Sequence, residues 1–175
     1  MLAACLLSFA LQDGGYDVAR SHWEAGRYRE ALVALEHEED PLLGHQGRAH
    51  VRYLARDFPA ALDEARAGLA LAPGDPVLLH RALTAAIWLR YGALAQELAE
   101  ELAAAVDAGA VEATARAWWL RETDDLRARA DALVDARKRR DAALGRSRLV
   151  ACILIVATGA AIVFLGYGRS SRPVP

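Results

Sequence analysis

The side chains able to do chemistry are sparse. Five histidines, His22, His37, His45, His50 and His80, are never four residues apart, the spacing that puts two imidazoles on one helical face as zinc ligands. His37-Glu38-Glu39-Asp40 offers metal-binding donors, but the run reads as the solvated acidic end of a helix. Gly14-Gly15 and the Gly44/Gly47 pair lack the Lys and Ser/Thr that complete a phosphate-cradling loop, and no G-x-S-x-G nucleophile motif occurs. Cys5 and Cys152 lie in separate apolar runs and define no disulfide framework. The chain therefore reads as a non-enzyme, with no catalytic residue, no metal site and no cofactor. What remains is binding chemistry: Trp and Tyr beside Arg and His give contact area and charge for a protein partner.

Composition bounds the elements that must carry these side chains. The 175 residues suffice for one modest domain, and a net charge of −2 sets up no field for nucleic acid. Ala, Leu, Arg and Glu dominate, Arg all but replaces Lys, and Asn is absent, a bias that fits a GC-rich bacterial genome. These helix formers predict an all-α fold. Breakers at Gly26, Pro41, Pro59, Pro73-Gly74-Asp75-Pro76, Gly92 and Gly109 divide the text into helix-length segments, an array of helical hairpins.

The segments repeat. Gly26-Arg27-Tyr28-Arg29-Glu30-Ala31-Leu32 aligns with Arg56-Asp57-Phe58-Pro59-Ala60-Ala61-Leu62, and Arg90-Tyr91-Gly92-Ala93-Leu94-Ala95 is a weaker third copy. Small residues precede the turns at Ala19 and Ala49, with Leu83 a departure, and Pro73 closes the second copy. This pattern resembles the tetratricopeptide repeat over residues 16–108. The resemblance implies a short solenoid whose first helices line a shallow groove. On the matching positions lie Tyr16, Arg20, Trp23 and Glu24, then Gln46, His50 and Tyr53, then His80, Thr84 and Trp88. It also implies a scaffold or adaptor that binds protein partners through that groove. Residues 110–148 read as a capping helix with Trp118 and Trp119, then a charged stalk.

Residues 149–167 carry no charge and are long enough, at about 1.5 Å per residue, to approach the ~30 Å hydrocarbon core. They predict one C-terminal transmembrane helix, a lipid bilayer as a partner, and a tail over 168–175. Arg137, Lys138, Arg139, Arg140, Arg146 and Arg148 would flank it and meet anionic headgroups. An apolar segment at 1–12 reads as a signal peptide and favours repeats outside the cytoplasm, whereas the basic flank favours repeats inside it. The first layout is similar to that of the repeat component of bacterial aerotolerance operons. The second is similar to tail-anchored fission adaptors that recruit a soluble partner. A non-catalytic subunit of a membrane enzyme complex is a further alternative.

Overall fold

A computed structural model describes the backbone of residues 15–170 and the side chains of 15–148 and 150–155. Among the described residues the chain is entirely helical. Three hairpins follow one another: α1 (Gly15–Glu24) with α2 (Tyr28–Leu35), α3 (Pro41–Leu54) with α4 (Phe58–Leu71), and α5 (Pro76–Trp88) with α6 (Gly92–Asp107). The last helix is α7 (Arg116–Ser170). By contact the chain divides into two compact units, residues 1–134 and 135–175.

Each hairpin turns in the same way. Gly26, Arg56 and Arg90 all adopt the left-handed backbone, with φ of 74°, 62° and 60°. In each turn the next N–H reaches back across the helix end: Arg27 to the His22 carbonyl, Asp57 to Arg52 and Tyr91 to Ala86, each at 2.9 Å. The left-handed residue itself donates to the carbonyl three back, Trp23, Tyr53 and Ile87, at 3.0 Å. This paired closure satisfies carbonyls that a helix end leaves open. The second helix then starts two residues on, at Tyr28, Phe58 and Gly92. The starts of α3, α4 and α5 are set by Asp40, Asp57 and Asp75, whose carboxylates accept from first-turn N–H groups, and a proline sits in each first turn.

Small side chains bring the helices close. Ala19, Ala31, Ala49, Ala61 and Ala95 are fully buried. A Cβ on Gly68 would stand 2.6 Å from a Leu78 methyl, so that glycine sets the approach of α4 to α5. One core cluster runs from Ala49 and Ala61 through Leu78, Leu83 and Leu102 to Leu126 and Ala130 of α7. A smaller one gathers Ala19, Ala31, Leu35 and Val51. Burying a leucine of this kind stabilises the fold by roughly 1.5–3 kcal/mol. Arg48 joins the first two hairpins: it donates to the Leu35 carbonyl at 3.2 Å and to Glu64 at 3.0 Å. Burial pushes the Glu64 carboxyl up, but hydrogen bonds from His45 and Arg48 and their charge more than offset this and hold it below its usual range.

The transmembrane expectation is overturned. Among the described residues no helix is long and apolar enough to cross a membrane. The run at 149–167 falls in α7, whose described side chains up to Arg148 are rich in charge. The single-pass membrane placement loses its basis with it. Arg137, Lys138, Arg139, Arg140, Arg146 and Arg148 are exposed, and Arg137 and Lys138 lie 3.9 Å from Asp141 and Asp135. The expected signal peptide at 1–12 and residues 171–175 of the expected tail lie outside the described residues.

Candidate functional site: the face of α1, α3 and α5

The first helices of the three hairpins pack side by side, and most of the expected groove residues lie along them. Tyr16 and Trp23 meet edge to face at 5.3 Å, and Trp23 meets His50 in the same way at 5.2 Å. Two turns of α1 and the facing turn of α3 thus form one aromatic ladder. Farther along, Arg81 of α5 stacks over the Tyr53 ring, its guanidinium carbon 5.7 Å from the centroid.

Counting from the left-handed residue of each turn gives the register of this face. Tyr16, Gln46 and His80 are equivalent, as are Arg20, His50 and Thr84. Trp23 and Tyr53 are equivalent to Ile87, not to Trp88. Trp88 is one residue out of register, about 100° around the helix. It is 59% exposed and stacks flat on Phe58 at 5.2 Å, with its indole N–H 3.4 Å from the Tyr53 hydroxyl. It belongs to the edge that carries the turns.

Other expected groove residues have partners within the fold. Gln46 donates to Asp75, the cap of α5, at 2.9 Å. Thr84 is buried, and its hydroxyl donates to the His80 carbonyl at 2.9 Å. Arg20 is exposed and pairs with Glu24 at 2.8 Å. His80 faces Glu122 of α7, with 3.2 Å between Nε2 and Oε1.

Arg81, which the repeat positions do not mark, is the electrostatic centre. Among the described residues no carboxylate lies within 4.0 Å of its guanidinium, and its Nε is buried without a hydrogen-bond partner. Burial pushes its pKa down, opposed by Tyr53, Tyr16 and Glu122. An arginine stays charged under such a shift, so the face holds a part-buried cation. His50 shares that field. Burial first, and Arg81 second, push it down to about 4, and its Nδ1 also lacks a partner. It is neutral at physiological pH. The only sequence signal for Arg81 is that it is the one cation in the otherwise apolar helix PVLLHRALTAAIW, beside His80.

Among the described residues no three His, Cys, Asp or Glu side chains converge as metal ligands. A separate cavity of about 500 Å³ lies between α1 and α2, lined by His22, Arg29, Glu30, Val33 and Ala34. Compared with known proteins, the chain matches no family model, no curated protein and no solved structure, so the expected membership of the tetratricopeptide family is unsupported.

Proposed function

We propose that the chain is a non-enzymatic adaptor that binds a segment of a partner protein on the face of α1, α3 and α5, with an acidic side chain of that segment seated at Arg81. The observation that supports this reading is the guanidinium itself. A part-buried cation with no ion-pair partner among the described residues, its Nε shut off and unbonded, is incompletely solvated, and an incoming carboxylate relieves that cost with charge-assisted hydrogen bonds. The Tyr16–Trp23–His50 ladder and Tyr53 supply apolar contact around the charge at little cost in side-chain entropy. With three hairpins the face is short, which fits a partner segment of a few residues and modest affinity.

The test is selection from a random peptide display library on the full chain, followed by affinity measurements on the winners. Selected peptides should carry Asp or Glu beside an apolar residue. Arg81→Gln should weaken them by about 10- to 100-fold, the equivalent of about 1.5–3 kcal/mol for a hydrogen bond to a charged group. Trp23→Ala should weaken them too, with far-UV helicity intact. A library whose winners bind Arg81→Gln as tightly as the parent chain sinks the reading.

A further inference from the structure

His80 stands where α5 meets α7, in a slot made mostly by α7. Trp119 meets its ring edge to face at 5.7 Å, Trp118 lies at 6.3 Å, and the two indoles meet each other at 5.0 Å. Glu122 closes the slot at 3.2 Å from Nε2. The charged groups facing the imidazole are Glu122 on α7 and Arg81 on its own helix. Below this cluster α7 is seated by other means. Leu126 and Ala130 enter the core, Gln96 of α6 donates to Asp131, and Val134 packs against Gly92.

We propose that His80 is a pH-sensitive latch holding residues 116–134 of α7 against α5: neutral, it packs against the paired tryptophans and hydrogen-bonds Glu122, and protonated, it loosens that stretch. The sign depends on which effect on the imidazolium wins. Glu122 favours the charged ring, but burial acts more strongly against it, and Arg81 adds to burial. The ring's pKa is thus lowered while α7 is seated. A histidine with a lowered pKa contributes its full stability above its free value of about 6.5. That contribution is lost as pH falls through 6.5 towards the seated value. Acid therefore favours the unseated helix, and the latch needs no ligand to operate.

The experiment follows the full chain by NMR from about pH 7.5 to about pH 5, the range in which histidine changes charge. It reads the His80 ring titration and the amide exchange of residues 116–134, corrected for intrinsic rates. We expect His80 to titrate below 6.5, the free value. As pH falls, residues 116–134 should lose protection several-fold more than α3 and α4 do. Glu122→Gln should move the His80 midpoint and the loosening down together, because it removes the group that favours the charge. His80→Phe, which keeps a ring in the slot, should abolish the excess loosening. The proposal is overturned if His80 titrates at or above its free value, if Glu122→Gln leaves the midpoint in place, or if His80→Phe loosens as the parent does.

Discussion

Arg81 and His50 show how two side chains can share one electrostatic problem. The guanidinium is part-buried and keeps its charge; the imidazole beside it gives its charge up. The consequence is measurable in folding stability. His50 has a free pKa near 6.5 and is pushed to about 4 in the fold, so the neutral fold is fully favoured above 6.5 and progressively less so down to about 4. Resistance to urea should fall across that window, and His50→Gln should flatten the fall. His80 acts with the same sign, so the flattening is partial. Glu64, whose pKa is lowered, adds its own loss only below its ordinary value of 4.5. A denaturation midpoint that stays level from pH 6.5 to 4 contradicts a buried neutral His50. At this scale the sequence was legible in part. Tyr16, Trp23, His50 and Tyr53 do gather, because their spacing and the hairpin repeat put them on one face. Trp88 drew notice as an aromatic near the right place, when Ile87 holds the register and Trp88 stacks on Phe58. Arg81 was missed because a lone cation in an apolar helix gives no hint of what lies across from it.

The elements owe their uniformity to the turn. Gly26 takes the left-handed conformation without a Cβ to resist it, whereas Arg56 and Arg90 hold it at a steric cost of roughly 1–2 kcal/mol each. Both arginines are exposed. Arg56→Gly and Arg90→Gly should therefore each stabilise the fold by about 0.5–1 kcal/mol, after allowing for the greater freedom of glycine in the unfolded chain. Thermal melts of the two variants test this, and a lowered melting temperature in both would show that the side chains do something the backbone accounting omits. The turns were the most legible part of the chain, since the three copies align on the residues that adopt this geometry. Spacing is less regular than geometry. The first copy is short, as the early Pro41 indicates, because α2 has 8 residues where α4 has 14.

Across the first compact unit, stability rests on a core passed from hairpin to hairpin and on to α7. Leu126 is 2% exposed and Ala130 fully buried, within the same cluster as Leu78 and Leu102. Leu126→Ala should destabilise the unit by about 2–5 kcal/mol, the range for a fully buried leucine. The urea midpoint should fall, and the near-ultraviolet signal of the Trp118–Trp119 pair should weaken first. A loss under about 0.5 kcal/mol, as at a surface site, would mean that α7 is not part of this core. Hydrophobicity misled at this scale. The uncharged letters at 149–167 count as a span when read alone, but among the described residues they extend a charged helix and no helix meets the requirement for crossing a membrane.

The shared closing turn has a genetic corollary. Because the chain leaves each first helix and enters each second helix in the same way, a stretch running from one left-handed residue to the next is an interchangeable unit. An in-frame duplication of residues 57–90 would begin and end on the same backbone conformation and present its neighbours with surfaces they already fit. Proteins of this build can thus lengthen or shorten by whole hairpins in single mutational events. Each added copy would carry another first helix onto the face where the aromatic ladder lies.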